Sequence, residues 1–275
     1  MPELTDRPVS PVPQRLIDTH CHLNLPDFAE DLATVLDRAV SAGVEKIIVP
    51  GIDHATTESA KKMAEDHSAI FFACGIHPNE SAGWQAGWAQ QLEAAVSHPK
   101  CVAVGEIGLD YYREYSPWET QMAALLCQLD LAERFGLPVI IHCRQAFAAL
   151  WPVLSAWHDR NPNNIGVLHA FDETAETVAE VTAKGFYIGI GGAYTYKNKP
   201  LREEILRAVP LEFLLFETDA PYLTPVPFRG KRNEPAYVRY TAEKAAAVKG
   251  IPPEKLFGAV YENSHRLFAR LKECR

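Results

Sequence analysis

Histidines and acidic residues recur in this 275-residue sequence at the ends of short apolar runs, where they could bind a divalent metal ion. His20 and His22 are separated by one residue at the end of the first such run. Residues two apart in an extended strand point to the same side, so these imidazoles could bind one ion together. A single pair of this kind is weak evidence, because surface and hydrogen-bonded core histidines also show this spacing. The metal hypothesis therefore depends on further ligands.

Four further candidate ligands lie at the ends of later apolar runs. They are Glu106, His142, His169 and Asp219. Buried carboxylates and imidazoles without partners are costly, and a bound cation is a common way to satisfy them. Six ligands exceed the needs of one tetrahedral ion, which predicts two divalent ions with Glu106 as the bridge. Mixed histidine and carboxylate ligands suit zinc, manganese or iron, and carboxylates with water suit magnesium.

Eight apolar runs alternate with segments of helical spacing. The runs are 16–19, 46–50, 70–75, 102–107, 139–142, 166–169, 186–190 and 213–218. Runs that are apolar on both faces are typical of parallel strands covered by helices. Eight of them predict an α/β fold of the (β/α)8 (TIM) barrel type, in which the carboxyl ends of the strands meet at one mouth. An open doubly wound sheet is the alternative, although no phosphate-binding glycine motif follows any run.

The composition is that of a globular protein, with 47% hydrophobic and 23% charged residues. Residues 1–14 contain four prolines and little apolar periodicity. We therefore expect a loose N-terminal arm over 1–14, followed by one barrel domain over 15–275. The six cysteines, of which Cys274 is the last, show no CxxC spacing. This favours reduced thiols over a disulfide framework or a zinc finger.

The formal net charge of −8 argues against a protein that coats nucleic acid. A small focused phosphodiester site remains compatible with it, because bound cations could supply positive charge. The sequence has no run of eighteen apolar residues, and its first residues lack the apolar core of a signal peptide. We therefore expect a cytoplasmic protein with no membrane partner, and a monomer by default.

The sequence resembles the TatD family of metal-dependent deoxyribonucleases, within the amidohydrolase-like barrels, and most of all its YjjV-type bacterial members. The resemblance spans residues 15–270. It rests on the segments 18–23 (DTHCHL), 75–78 (GIHP), 105–111 (GEIGLDY), 141–144 (IHCR), 169–171 (HAF), 217–223 (ETDAPYL), 229–235 (RGKRNEP) and 263–268 (NSHRLF). It divides the candidate ligands between two ions: His20, His22 and Asp219 for one, His142 and His169 for the other, and Glu106 for both.

The resemblance implies a hydrolase of DNA phosphodiesters, since several members of the family act as 3′–5′ exonucleases. A bound divalent ion lowers the pKa of water to about 7, and two ions can hold the attacking and leaving oxygens. We expect Asp219 to orient the attacking water or to accept its proton. Asp219 and the bridging Glu106 are the candidate catalytic residues.

Several residues near the predicted mouth are candidate substrate contacts. The set consists of His77, Arg144, Arg229 and Lys231. An imidazole could donate a hydrogen bond to a phosphate or leaving oxygen, and guanidinium groups match phosphate bidentately. Arg144 could instead pair with a carboxylate at the mouth. Likewise, the basic segment 229–232 could be a solvated loop in which Arg232 or Glu234 pairs with neighbours. Tyr111, Tyr112 and Phe171 could stack on bases, although packing is the commoner role of such rings.

Two segments depart from the family pattern and leave the substrate open. Gln145 follows Arg144 where members often carry an acid, and Asp172 and Glu173 place two acids where an anionic substrate would bind. One alternative is a metal-dependent hydrolase of an amide, lactone or other ester, which the negative net charge favours. Another is a non-catalytic metal-binding scaffold, against which the complete ligand set argues.

Overall fold

In the computed structural model, which describes residues 15–85, 87–113, 115–197 and 199–272, eight parallel strands form one sheet in chain order. The strands are β1 (Leu16–Asp18), β2 (Val44–Pro50), β3 (Ile70–Cys74), β4 (Cys101–Asp110), β5 (Val139–Arg144), β6 (Gly166–Leu168), β7 (Tyr187–Ile190) and β8 (Leu214–Phe216). Backbone hydrogen bonds from Thr19 to Phe216 and from His22 to Ala220 join the first strand to the last. The predicted (β/α)8 barrel is therefore confirmed, and the doubly wound alternative is wrong.

Helices cover the outside of the barrel. They are α1 (Leu32–Ser41), α2 (His54–Asp66), α3 (Gly87–Val96), α4 (Trp118–Phe135), α5 (Phe147–Arg160), α6 (Ala175–Ala183), α7 (Pro200–Ala208), α8 (Val238–Lys249) and α9 (Pro253–Leu267). The strands pack against them on their outer faces, as expected for strands that are apolar on both sides. None of the described helices is both long and apolar enough to cross a membrane.

The amino-terminal end of the barrel is closed by the residues that follow α9. Phe268 and Leu271 are fully buried and belong to the same apolar cluster as Ile48 and Phe71 of the barrel interior. The guanidinium of Arg270 donates to the carbonyls of residues 96, 98 and 101. The polar candidate residues lie at the opposite, carboxyl end of the barrel.

Strand β4 continues three residues beyond the run that we predicted, as far as Asp110. Glycine makes this possible, because a Cβ atom at Gly108 would lie 1.9 Å from the carbonyl oxygen of His142. Gly108 also has a φ of +148°, which favours glycine. The extension carries Asp110 to the mouth beside the end of β5.

Some predictions fall on residues outside the described ranges, namely the arm over 1–14 and the thiol of Cys274. The cysteines within the described ranges are free, as predicted: Cys21, Cys74, Cys101, Cys127 and Cys143. The domain bounds, the cytoplasmic location and the monomeric state stay predictions.

Candidate metal centre

A first group of candidate ligands forms where the chain leaves β1 and β8. The Nε2 atoms of His20 and His22 lie 3.1 Å apart. The Oδ1 atom of Asp219 lies 3.7 Å from Nε2 of His20 and 3.5 Å from Nε2 of His22. The three side chains are between 0% and 14% exposed. Two imidazoles and one carboxylate thus converge in a largely buried position at the mouth of the barrel.

A buried carboxylate holds the turn that carries Asp219. Asp18 accepts hydrogen bonds from the backbone N–H of Thr218 at 2.9 Å and from its hydroxyl at 2.6 Å. Burial raises the pKa of Asp18 to about 8, whereas the bonds from Thr218 lower it. Asp219, with a φ of +55°, donates its N–H to the carbonyl of His20 at 2.9 Å. The ends of β1 and β8 are therefore tied together at the site itself.

The second group surrounds one oxygen of Glu106. Its Oε1 atom lies 2.8 Å from Nδ1 of His142, 2.8 Å from Nε2 of His169 and 3.3 Å from Nε2 of His77. Its Oε2 atom faces the first group instead, at 3.3 Å from Nε2 of His20 and 3.6 Å from Nε2 of His22. Glu106 thus presents one oxygen to each group, the arrangement that a bridging carboxylate requires.

The donor atoms fit a divalent cation. The Nδ1 atoms of His20 and His22 are buried with no hydrogen-bond partner among the described residues. Burial acts to raise the pKa of Glu106, but the imidazoles lower it well below its ordinary value. Burial acts to lower the pKa values of His142 and His169, but the carboxylates around them raise both. The centre therefore attracts positive charge, which a metal ion would supply in place of protons.

The ring of His169 is backed by a second buried glutamate. Glu217 is 0% exposed, and its Oε1 atom lies 3.7 Å from Nδ1 of His169. The same oxygen accepts the backbone N–H of Ala170. A Cβ atom at Gly189 would lie 2.5 Å from the other oxygen of Glu217, so only glycine leaves room for this carboxylate. Glu217 was not among the predicted site residues, although it lies two residues before Asp219 in the same segment.

Asp110 connects His142 to the loop after β4. Its Oδ2 atom lies 3.2 Å from Nε2 of His142, and its Oδ1 atom accepts the backbone N–H groups of Tyr112 and Arg113, both at 2.9 Å. The buried side chain of Gln121 hydrogen-bonds both the N–H and the carbonyl of Asp110. One carboxylate thus orients both a candidate ligand and the start of a loop.

His77, which we expected to contact substrate, lies against the centre itself. Its Nδ1 atom accepts the backbone N–H of Asn79 at 3.1 Å, so the proton of the neutral ring is on Nε2. Burial lowers the pKa of His77 to about 4, so the ring is neutral at pH 7. His77 therefore presents an N–H donor to Glu106 and to the cavity, and this tautomer does not suit a metal ligand.

The three basic candidates differ in position. A cavity of about 930 Å³ opens over the centre, and Arg144 lines it. Its guanidinium carbon lies 4.1 Å from the ring centroid of Tyr112. Arg229 and Lys231 do not line this cavity; they lie over the rings of Tyr196 and Phe228, at 4.5 and 5.9 Å. Only Arg144 of the three is thus brought to the centre.

Ion pairs occupy other charged residues that the sequence placed near the substrate. Arg232 pairs with Asp31 at 2.7 Å, as the solvated-loop alternative expected. Asp172 pairs with Arg202 at 3.1 Å, so the negative charge of one of the two acids after β6 is balanced by an ion pair. Phe171 is only 3% exposed, so its ring is packed almost entirely within the fold.

Several cavity-lining residues were not among the predicted site residues. Arg113 and Tyr115 lie on the loop after β4, and Tyr222 follows Asp219. The ring centroid of Tyr222 is 6.3 Å from that of His22. Loop side chains of this kind follow no periodic pattern, so only the fold reveals their proximity.

Comparison with known proteins agrees with this architecture. Residues 17–269 match the family described as "TatD related DNase". An uncharacterized metal-dependent hydrolase, YabD of Bacillus subtilis, is 39% identical over 92% of this chain and 98% of its own length. The 3′-5′ ssDNA/RNA exonuclease TatD of Escherichia coli is 34% identical, over 92% of this chain and 98% of its own. The crystal structure of YjjV, a TatD homologue from E. coli, superposes with a TM-score of 0.88 at 33% identity, covering 94% of this chain and 99% of that one.

Proposed function

Because the chain belongs to the TatD family of metal-dependent hydrolases, we propose that it is a deoxyribonuclease that removes nucleotides from the 3′ end of DNA. Relatives named as 3′-5′ ssDNA/RNA exonucleases, at about 34% identity, support this substrate. The proposal includes two divalent ions, which could be zinc, manganese or magnesium.

The observation that carries the proposal is a set of arginine side chains at the barrel mouth that have no oxygen acceptor among the described residues. Arg113, Arg144 and Arg229 form no hydrogen bond to a carboxylate or carbonyl within the described ranges, whereas the other arginines there are bound to oxygen acceptors of the protein. Arg113 and Arg229 lie on the loops after β4 and β8, and Arg144 is the last residue of β5, so all three lie at the carboxyl end of the barrel. Arg113 and Arg144 line the cavity. In a chain of net charge −8, guanidinium groups in this position without a carboxylate partner in the described part of the chain favour an anionic substrate such as a phosphodiester.

The two ions would be held by the side chains that surround Glu106. His20, His22 and Asp219 would hold one ion, His142 and His169 the other, and Glu106 both. When bound, such ions lower the pKa of a coordinated water to about 7 and stabilise negative charge on phosphate oxygens.

Two residues of the chain would then handle the protons. Asp219, whose side chain is 14% exposed, would orient the attacking water and accept its proton as the oxygen bonds to phosphorus. The bond from phosphorus to the 3′ oxygen of the preceding nucleotide breaks in the same displacement, and that oxygen takes up a proton from solvent to leave as a hydroxyl group. His77 would donate its Nε2–H hydrogen bond to that departing oxygen or to the phosphate. Arg144 would bind a neighbouring phosphate.

The test is cleavage of a single-stranded DNA oligonucleotide labelled at its 5′ end. Metal-free protein would be reconstituted separately with Mg²⁺, Mn²⁺ or Zn²⁺, with Asp219→Ala as the contamination control. A ladder that shortens from the 3′ end, absent with Asp219→Ala, is expected. A protein that holds its metal but cuts no oligonucleotide would reject the nuclease and favour a hydrolase of an amide, lactone or other ester.

A further inference from the structure

Exposed aromatic side chains are concentrated beside the metal centre. Tyr112, Tyr115 and Trp118 are 55%, 66% and 52% exposed, and all lie on the loop after β4 or at the start of α4. The remaining described aromatic side chain with comparable exposure, Tyr222 at 54%, lies on the facing loop after β8. Large exposed rings gathered at one place mark a binding surface more often than chance.

These rings are arranged in stacks. The rings of Tyr111 and Trp118 lie 4.5 Å apart with 20° between their planes. The guanidinium of Arg144 covers one face of Tyr112 at 4.1 Å, and that of Arg113 lies 5.9 Å from the ring of Tyr115. We call Tyr111, Tyr112, Tyr115, Trp118, Arg113 and Arg144 the aromatic patch. A guanidinium on a ring fixes the ring's orientation and keeps N–H groups available for phosphate.

The aromatic patch is connected to the metal centre by short polar contacts. Asp110 holds the N–H groups of Tyr112 and Arg113 with one oxygen and contacts His142 with the other. Tyr111 donates its N–H at 2.9 Å to the carbonyl of Arg144, which is two residues beyond His142. A polymer with its terminal phosphodiester at the centre would therefore place adjacent groups against this patch.

We propose that the aromatic patch is a nucleobase-binding subsite, with the open face of Tyr112 as its main stacking surface. The proposal rests on the proposed nuclease function, which supplies a ligand with phosphates at intervals and a flat base between them. Every base has a π-face, so such stacking gives affinity without strict sequence preference. Arg144 would serve both the base and the phosphates of this ligand. Its guanidinium supports the ring of Tyr112 and can donate hydrogen bonds to a phosphate.

The test compares two short oligothymidylates of equal charge, of which one has abasic residues in place of its terminal nucleotides. Both carry phosphorothioates at their last linkages to slow cleavage, and a 5′ fluorophore reports binding to the metal-loaded protein by anisotropy. The variants are Tyr112→Leu, which loses the ring, and Tyr112→Phe, which keeps it. Tyr261→Leu is the matched control, because Tyr261 also lies under an arginine, Arg15 at 5.8 Å, but at the amino-terminal end of the barrel.

We expect Tyr112→Leu to bind the complete oligothymidylate about tenfold more weakly, and Tyr112→Phe and Tyr261→Leu to bind it like the wild type. Loss of the terminal bases should weaken wild-type binding by a similar factor, and the two losses should not add. Equal wild-type binding of both oligonucleotides, or additive losses, would overturn the subsite while leaving nuclease activity intact. Failure of the wild type to bind or cut either oligonucleotide would reject the nuclease itself.

Discussion

The Nε2 atoms of His20 and His22 face each other across 3.1 Å inside the barrel mouth. Their Nδ1 atoms are buried without hydrogen-bond partners among the described residues, so nothing there fixes a proton on either ring. Two facing imidazole lone pairs repel each other unless a proton or a cation lies between them. The Oδ1 atom of Asp219 and the Oε2 atom of Glu106 complete a set of four donors that a metal ion satisfies at once.

We therefore expect removal of metal to destabilise the protein. Chelation should lower the Tm, and added Zn²⁺ or Mn²⁺ should restore it, with a stabilisation of about 2.7 kcal/mol at a free metal concentration of about 100 times Kd. Scanning calorimetry with parallel metal analysis measures this. His22→Ala should lose much of the metal-dependent increase in Tm, whereas His158→Ala, on α5, should retain it. A Tm that ignores metal in the wild type would argue against the site.

His77 is predicted to act in turnover without holding a metal. Its Nδ1 atom is engaged by Asn79, which leaves Nε2–H as a donor. His77→Ala should lower kcat by about 10²- to 10³-fold, the usual loss for one donor to transition-state charge. Metal content should stay at the wild-type level. His142→Ala is the contrasting variant and should lose metal, so equal metal loss in both would contradict this division of roles.

Glu217 is predicted to set the metal affinity through His169. Its Oε1 atom lies 3.7 Å from Nδ1 of His169, too far for a hydrogen bond, so it acts on the ring through its negative charge. Loss of a carboxylate that supports a ligand imidazole costs about 10- to 100-fold in affinity. Glu217→Gln retains the shape but not the charge and should weaken metal binding in titration calorimetry. The free energy of unfolding of the metal-free protein gives the control, because a purely structural role would change it without a matching change in affinity.

Gly189 offers a stability test of the same contact. A methyl group there would lie 2.5 Å from Oε2 of Glu217 and 3.0 Å from Cα of His169. Overpacking of this kind costs about 1–3 kcal/mol, so Gly189→Ala should destabilise the protein by about that amount in urea. Gly258 in α9 has nothing within 4 Å of the added atom, and alanine is the better helix former. Gly258→Ala should therefore stabilise by about 0.5–1 kcal/mol.

The barrel and the convergence of the six candidate ligands could be predicted because both follow from periodicity. Runs apolar on both faces give the strands, and the parallel order of strands brings their carboxyl ends together. The family resemblance is confirmed by the match over residues 17–269. The ligand roles themselves stay a proposal that the geometry supports.

The contacts beyond the strand ends could not be predicted, because they depend on backbone turns. Residues 217 and 219 would share a face if the chain stayed extended. Asp219 instead adopts a φ of +55°, which turns its carboxylate to His20 and leaves Glu217 against His169. The pairing of Arg232 with Asp31, 201 positions away, likewise leaves no local signal.

The Arg232–Asp31 pair predicts a pH dependence of stability away from the candidate metal centre. The two terminal nitrogens of the Arg232 guanidinium, Nη1 and Nη2, donate to the carboxylate of Asp31 at 2.9 and 2.7 Å. These hydrogen bonds hold the pKa of Asp31 below its ordinary 3.8. A carboxyl group with a lowered folded-state pKa stabilises the protein above its ordinary pKa, and this contribution is lost as the pH falls through the folded-state value. The Tm of Asp31→Asn should therefore lie below that of the wild type at pH 7, and the gap should close as the pH falls below 3.8. Asp37→Asn, in α1, which begins directly after Asp31, removes a carboxylate that forms no ion pair within the described part of the chain. It should show no such closing gap, and a constant deficit for Asp31→Asn would contradict the assignment.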